Sequence, residues 1–295
     1  TITYWLKETL RTKRQQRQEL AKKDPALYPS QAELTAEDDE EPPQILLTIT
    51  DAKGRVIRHL TGPATRGLHR ITWNLRGPAI AAAAQGQPSS EEEGPRQQPA
   101  GGALVAPGVY KVSLARKSAG AVTPLNAEET ITVEADASGA LSDAERRARD
   151  EFIERALRLQ RQVLGALDAA NQAKTKLTAI RRALLDGPAQ PAMIETASRL
   201  DARVTAILRK LRGDETLRGL ESGAPSSIQS RAANAVAVTR GMASPPTGTM
   251  QLNLRIAGEE LAEESARLKA LIEELRKFEQ ALDAAGVPYT QGRYQ

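Results

Sequence analysis

The residues that could do chemistry in this chain are few. His59 and His69 lie ten positions apart, and we predict that they lie on neighbouring β-strands, where their rings could approach each other. A zinc site usually needs three or four ligands, and no cysteine or ordered set of carboxylates accompanies the two histidines. His69 also shares a predicted strand face with Trp73, where packing is the simpler role. We therefore predict no metal site and no cofactor.

Other catalytic signatures are missing from the sequence. It contains no nucleophile elbow, no phosphate-binding loop and no dinucleotide fingerprint. The absence of cysteine excludes disulfides, thiolate metal sites and a cysteine nucleophile. Acidic residues are plentiful, so counting alone does not exclude a pair of glycosidase carboxylates. Most of them lie in charge runs or on helix surfaces, where they are solvated. We predict no catalytic residue in this chain and leave open whether a larger parent protein is an enzyme.

A basic stretch, Leu10–Lys23, could bind phosphate groups. It has no interleaved aromatic residues for base stacking, and the acidic run Glu37–Glu41 would repel the same ligand. The net charge of the whole chain is only +4, so we predict no nucleic-acid partner. The two opposite charge blocks could pair across the intervening loop. We favour a solvated excursion instead, because exposed ion pairs contribute little stability.

The stretch Gly67–Arg76 organises the N-terminal half of the chain. Ile71, Trp73 and Leu75 alternate with polar residues, which predicts a strand with one buried face. Aromatic residues make up only 3% of the sequence, and one indole can bury on the order of 200 Å². We therefore predict that Trp73 forms the centre of a β core and that its strand lies in the middle of a β-sandwich.

Five further short strands accompany this one, with Tyr110 and Val112 on the buried face of the strand at 109–114. The predicted ranges are about 1–7, 45–50, 55–60, 109–114 and 126–134, with a hairpin turn over 51–54. Six short strands with turn residues between them are typical of an antiparallel sandwich. We place it at residues 1–136, with a charged insertion at about 8–43 and a flexible, low-complexity loop at about 77–106.

After residue 136 the hydrophobic period changes from 2 to 3.6, and Ser142 with Glu145 forms a capping box. Three amphipathic helices are predicted, at about 142–187, 191–211 and 254–282, with 228–238 continuing the second. In the last helix leucines recur every seven residues: Leu254, Leu261, Leu268, Leu275 and Leu282. We favour an antiparallel three-helix bundle over residues 137–295, hence an α+β multidomain chain. A self-associating coiled-coil adaptor is the alternative.

Two sequence runs carry a family resemblance: ILLTITDAKGRVIRHLTGPATRGLHRITWNLR and, after the variable loop, LVAPGVYKVSL. They resemble the immunoglobulin-like domain first named from flagellar hook-capping proteins. The opening TITYWLKE, the segment EEPPQILLTI and the terminal GVPYTQGR are similar to the C-terminal region of large bacterial β-propeller proteins. Those proteins have sortilin-like or neuraminidase-type (BNR) repeats and often carry the label "glycosyl hydrolase". The resemblance covers nearly the whole chain.

The resemblance implies an immunoglobulin-like sandwich and an exported location in the periplasm, at the cell surface or in the medium. It also implies a partner, either an N-terminal β-propeller of the same protein or other subunits of an assembly. No Asp-box repeat occurs in this chain, and the resemblance carries over no catalytic residue. We expect a non-catalytic C-terminal module that supports assembly, anchoring or domain docking.

The alternative is an accessory or carbohydrate-binding part of a glycan-active enzyme. Its candidate glycan-facing aromatic residues are Trp5, Tyr28, Tyr289 and Tyr294. No sequence run approaches the ~20 apolar residues that cross a bilayer, so we expect no membrane span. Because the sequence begins with Thr1 rather than Met, we also expect translated sequence upstream of it.

Overall fold

The computed structural model describes residues 1–24, 28–77, 102–134, 141–188, 190–214, 226–239, 244–290 and 293. The strands in these ranges are β1 (Ile2–Leu6), β2 (Gln44–Asp51), β3 (Val56–Gly62), β4 (Gly67–Ile71), β5 (Gly108–Ser118) and β6 (Ala121–Val133). The helices are α1 (Lys13–Lys23), α2 (Gln31–Asp38), α3 (Asp143–Asp186), α4 (Pro191–Arg212), α5 (Ile228–Thr239) and α6 (Gly248–Ala284). The described residues up to 134 form one compact unit, and those from 141 onward form a second. The predicted mixed α+β class is confirmed.

The strands of the first unit form two antiparallel sheets. Strands β1 and β4 pair with each other, and the larger sheet has the order β3-β2-β5-β6. Tyr4 of the smaller sheet belongs to the same buried cluster as Ile45, Leu47 and Ile49, which are fully buried on β2. Alternate residues of β2 therefore face the core, and both sheets contribute side chains to it.

Trp73 lies in this core but not on a strand. Its indole meets the Tyr110 ring edge-on, with centroids 5.4 Å apart, and its Nε1 donates a hydrogen bond to the Arg76 carbonyl oxygen at 3.0 Å. The prediction of a strand through Trp73 in the middle of a β-sandwich is wrong, because β4 ends at Ile71 and pairs with β1 in the two-stranded sheet, while β2 and β5 are the central strands of the larger sheet. Ile71 is half-buried and Val112 is fully buried.

Leu75 is not a core residue, contrary to the prediction. The chain has already left the strand at this point, and Leu75 takes a left-handed conformation with φ of 56°. Its side chain is 39% exposed, while its carbonyl oxygen accepts a hydrogen bond from the Val105 amide at 2.8 Å. This backbone hydrogen bond therefore joins the two ends of the predicted 77–106 loop. Most of that loop, including the predicted flexible part, lies outside the described residues.

Strand β6 is longer than predicted because its first half, AVTPLNA, contains a proline and its Val122 and Leu125 are three positions apart, which is not the alternation of a half-buried strand. It begins at Ala121, directly after a two-residue turn in which Ala119 and Gly120 have φ of 50° and 76°. Two positive φ values are typical of a type I′ hairpin turn, which matches the twist of the flanking strands. The predicted turn over 51–54 is present, with Gly54 at φ 76°. There Asp51 Oδ1 accepts hydrogen bonds from the Lys53 and Arg55 amides at 2.9 Å.

The charged insertion forms helices α1 and α2. Their N-termini have capping boxes, Thr12 with Gln15 and Ser30 with Glu33. The Arg17 guanidinium donates two hydrogen bonds to the Glu37 carboxylate, at 2.7 and 2.9 Å, and the Glu37 side chain is only 6% exposed. The basic and acidic blocks therefore pair at this point, while no residue of either helix is buried, as expected of a solvated excursion.

The second unit contains α3 to α6, packed around one apolar cluster. The predicted second helix consists of two described helices, since α4 ends at Arg212 and α5 begins at Ile228. Both α4 and α5 contact α3 and α6. The five leucines of the heptad repeat are between 0 and 8% exposed within this single chain. Burial of these leucines within one chain favours a helical bundle over an intermolecular zipper.

Candidate functional site

The described residues do not form a catalytic constellation. In the ranges that the structure describes, no group of three or more His, Asp or Glu residues is placed to hold a metal ion. His59 is exposed, with Nδ1 3.1 Å from Thr48 Oγ1. The His69 ring packs against the Tyr4 ring with their centroids 5.2 Å apart, and its Nε2 lies 2.6 Å from the Thr65 carbonyl oxygen. Each histidine therefore has its own structural partners.

An exposed apolar surface of the first unit lies on the outer face of the two-stranded sheet. Trp5 and Leu68 are opposite each other in the register of β1 and β4. Their side chains are 61% and 63% exposed. Opposite residues of an antiparallel pair have Cβ atoms about 4.5–5.5 Å apart and project from the same face. The two side chains thus form one contiguous surface, which we call the Trp5–Leu68 face.

Polar residues flank the Trp5–Leu68 face, and the sheet's other face provides its support. Thr3 and Arg70, also opposite each other in register, are exposed on the same side. On the inner side, the Tyr4 hydroxyl donates a hydrogen bond to the Pro63 carbonyl oxygen at 2.7 Å. Burial raises the pKa of Tyr4 to about 12, so this hydroxyl remains a donor at neutral pH. The inner contacts fix the sheet that presents Trp5 outward.

The candidate glycan-facing aromatic residues that the structure describes are divided between the two units. Tyr28 is 89% exposed at the start of the segment that leads into α2. Tyr289 is 57% exposed and lies in the second unit, where the Arg293 guanidinium is 5.6 Å from its ring centroid. Tyr294 lies outside the described residues. In the described part of the first unit, Trp5 and Tyr28 make no ring contact with each other.

The second unit has a cleft of about 580 Å³ between α3 and the segment that follows α6. We call this following segment, residues 285–290 with 293, the tail, and the cavity the α3–tail cleft. Residues along one side of α3 form one wall, and the tail forms the other. The polar lining residues are Lys174, Thr175, Thr178, Arg182, Asp186 and Thr290.

A buried arginine fixes the tail in place. The Arg293 side chain is only 2% exposed and donates two hydrogen bonds to Asp283 Oδ1, at 2.5 and 3.2 Å. It also donates to the carbonyl oxygens of Pro288 and Val287, at 3.2 and 3.4 Å. Sequence reasoning missed this arginine because no hydrophobic periodicity surrounds it. The signal available was a lone arginine after a Gly-Val-Pro run at a helix end.

Comparison with known proteins adds no identification, since no protein-family model, curated protein or solved structure matches this chain. Among the helices in the described ranges, none combines the length and the apolar character needed to cross a bilayer. The functional assignment therefore depends on the chain's own surfaces.

Proposed function

We propose that this chain is a non-catalytic structural and interaction module of a larger exported β-propeller protein. In this proposal it supports domain docking or assembly through the Trp5–Leu68 face. The single observation that carries the proposal is the pairing of two large apolar side chains, each more than 60% exposed, on one sheet face. The sequence resemblance described above supplies the propeller as the partner.

Physical arguments favour a docking role for this face. A tryptophan that packs against a partner buries on the order of 150–250 Å², and tryptophan is enriched among residues that dominate interface energies. At about 25 cal/mol per Å², this area corresponds to roughly 4–6 kcal/mol before the loss of motional freedom is subtracted. Arg70 beside the apolar pair supplies the polar rim that such interfaces usually have.

The proposal includes the finer description of the fold. We interpret the two sheets, which share the cluster around Trp73 and Tyr110, as an incomplete immunoglobulin-like sandwich. We interpret α3, α6 and the interrupted pair α4 and α5 as the three layers of an antiparallel bundle. Ion pairs between layers support this arrangement, including Lys174 with Asp201 at 2.7 Å and Lys176 with Glu279 at 3.2 Å.

Site-specific photo-crosslinking in the natural polypeptide tests the docking role. A photoreactive phenylalanine replaces Trp5 in one variant and Val56, which is 54% exposed on β3, in the matched control. We expect position 5 to form a cross-link to a β-propeller peptide, identified by mass spectrometry, and position 56 to form none. Equal cross-linking at both positions, or no propeller peptide at position 5, would contradict the proposal.

The second candidate function is a carbohydrate-binding accessory role. The 61% exposure of Trp5 favours it, because an exposed indole can stack on a sugar ring. In a Trp73→Phe background Trp5 is the only tryptophan of the chain, so its fluorescence reports binding directly. A saturable change on titration with oligosaccharides would support the carbohydrate role, whereas the docking proposal predicts no change.

A further inference from the structure

Cationic side chains border the Trp5–Leu68 face at both of its ends. Arg70 is exposed and lies two positions beyond Leu68 on β4, which is about 7 Å along the strand. At the opposite end, Lys7 and Arg66 directly follow the last register pair of β1 and β4, and both are exposed. The apolar pair therefore lies between one cation on one side and two cations on the other.

The segments that carry Lys7 and Arg66 remain side by side beyond the two strands. The Arg66 amide donates a hydrogen bond to Thr9 Oγ1 at 2.9 Å, and the Leu10 amide donates to the Ala64 carbonyl oxygen at 2.9 Å. Like charges on adjoining chain segments repel each other and destabilise their pairing. An anion supplied from outside this sheet would remove that repulsion.

The three cations have no anionic partner among the described residues. Lys7, Arg66 and Arg70 form no ion pair with a described residue, and Glu8, the acidic residue nearest to them in sequence, pairs with none of them. Several other cations of the first unit do pair: Arg55 with Asp51, Lys111 with Glu128 and Lys117 with Glu41. The cations around the Trp5–Leu68 face thus remain available to an anionic partner.

We propose that the partner surface that covers the Trp5–Leu68 face is acidic. Its aspartate and glutamate carboxylates accept hydrogen bonds from Lys7, Arg66 and Arg70, and they surround an apolar patch that receives the Trp5 and Leu68 side chains. Charges of opposite sign around an apolar centre fix the orientation of two docking surfaces and exclude partners with the wrong charge. This inference rests on the docking role proposed above and names the chemistry of the surface that docks.

The size of the apolar centre favours a protein carboxylate over a lipid phosphate as the anion. Binding to a membrane surface strengthens with the apolar area that enters it. Here that area consists of two side chains, Trp5 and Leu68, on a flat pair of strands. In protein interfaces, by contrast, one or two buried anchors of this kind supply much of the binding energy. An acidic protein surface is therefore the partner to which we commit.

Zero-length cross-linking of the natural polypeptide tests this proposal. A carbodiimide joins a lysine amine to a carboxylate only where the two groups are in direct contact. We expect a product between Lys7 and an aspartate or glutamate outside the 295 residues of this chain, identified by mass spectrometry. Arg66→Lys and Arg70→Lys keep the positive charge and add an amine, so each should give one further product of the same kind.

Two positions away from the face provide the matched controls. Lys53 is an exposed lysine of the 51–54 turn, and Arg116 is an exposed arginine of β5 in the larger sheet. Lys53 and the new amine of Arg116→Lys should give no product with an acidic residue outside this chain. Equal yields at the control positions and at positions 7, 66 and 70 would overturn the proposal.

The photo-cross-link at position 5 separates a failure of this inference from a failure of the docking role. A propeller cross-link at position 5 without any carbodiimide product at positions 7, 66 and 70 would refute the acidic partner and leave the docking role intact. The absence of both products would refute the docking role as well.

Anionic vesicles test the lipid alternative. Trp5 fluorescence is measured in a Trp73→Phe background of the natural polypeptide, with phosphatidylglycerol vesicles and with phosphatidylcholine vesicles. We expect no blue shift with either. A blue shift with phosphatidylglycerol alone, together with no carbodiimide product, would assign the three cations to lipid phosphates and overturn the proposal.

Discussion

At the scale of single residues, the two tryptophans of this chain occupy opposite environments. Trp73 is 5% exposed and Trp5 is 61% exposed. Replacing Trp73 by alanine leaves a cavity beside Tyr110, so we expect the free energy of unfolding of the first unit to fall by about 3–5 kcal/mol. Trp5→Ala is the control and should change it by no more than about 0.5 kcal/mol. The urea dependence of amide hydrogen exchange in β2 and β5 measures both, and similar losses would contradict the assigned burial.

Ionisation of Tyr4 makes the stability of the first unit depend on pH in the alkaline range. Burial raises its pKa from the ordinary value of 10.0 to about 12, so the folded state holds the phenolic proton more tightly than the unfolded state does. Its contribution to stability is therefore complete below about pH 10 and is lost as the pH rises through about 12. In Tyr4→Phe, this part of the decline should be absent from denaturation curves measured between those pH values. Tyr28→Phe, at a position 89% exposed, should keep it, and an unchanged decline in Tyr4→Phe would refute the role of Tyr4.

The sequence predicted which residues form this core better than it predicted their backbone conformation. Trp73 was identifiable because so few other side chains are large enough to fill a sheet core. Leu75 was assigned to the same face only because alternation was assumed to continue past Ile71. The positive φ at Leu75 depends on its contact with Val105, a residue beyond a long loop, and no local pattern encodes such a contact.

At the scale of elements, two glycines should respond to substitution in opposite directions. Gly165 is exposed in α3, and a Cβ there would meet no atom within 4 Å. Gly165→Ala should therefore stabilise the helical unit by about 0.5–1 kcal/mol, because alanine loses less backbone freedom on folding.

Gly62, at the end of β3, is the glycine at which we expect alanine to destabilise the protein. A Cβ at this position would meet the Tyr4 hydroxyl at an impossible distance, and the Tyr4 ring is itself held by Pro63. Gly62→Ala should therefore lower the denaturation midpoint of the first unit. A gain in stability from Gly62→Ala, or a loss from Gly165→Ala, would contradict the described packing.

An ion pair between Arg17 and Glu37 joins helices α1 and α2. The hydrogen bonds from Arg17 lower the pKa of Glu37 below its ordinary value of 4.5. The stabilisation is therefore present above about pH 4.5 and is lost as the pH falls below it. No residue of α1 is buried, so we expect Glu37→Gln to speed amide hydrogen exchange across Lys13–Lys23 at neutral pH. Glu8→Gln, which alters an exposed acid outside this pair, is the control, and equal exchange in both variants would contradict the ion pair's role.

Local signals predicted some elements and missed others for identifiable reasons. The capping box of Ser142 and Glu145 correctly marks the start of α3. The same signal at Ser30 and Glu33 marks α2, a helix that we did not predict. Strand β6 was predicted too short because its pairing with β5, rather than its own apolar pattern, makes it a strand.

At the scale of the whole molecule, each unit has its own buried cluster. Both tryptophans belong to the first unit, whereas the longest helices belong to the second. Tryptophan fluorescence therefore reports on one unit, and the helical circular dichroism signal reports mainly on the other. We expect the two signals to give separate denaturation transitions.

Leu271→Ala provides the control for this assignment. Leu271 is fully buried on α6, so its truncation should destabilise the helical unit by about 2–5 kcal/mol. The circular dichroism transition should move and the fluorescence transition should stay in place. A single transition that moves in both signals would show that the units unfold as one.

The central claim is that the Trp5–Leu68 face is a docking surface of a larger protein. The most direct test is the acrylamide quenching of Trp5, with Trp73→Phe present, in the isolated 295-residue chain and in the natural polypeptide. We predict strong quenching in the isolated chain and a several-fold weaker quenching in the natural polypeptide, where a partner domain covers the indole. Equally strong quenching in both would contradict the claim.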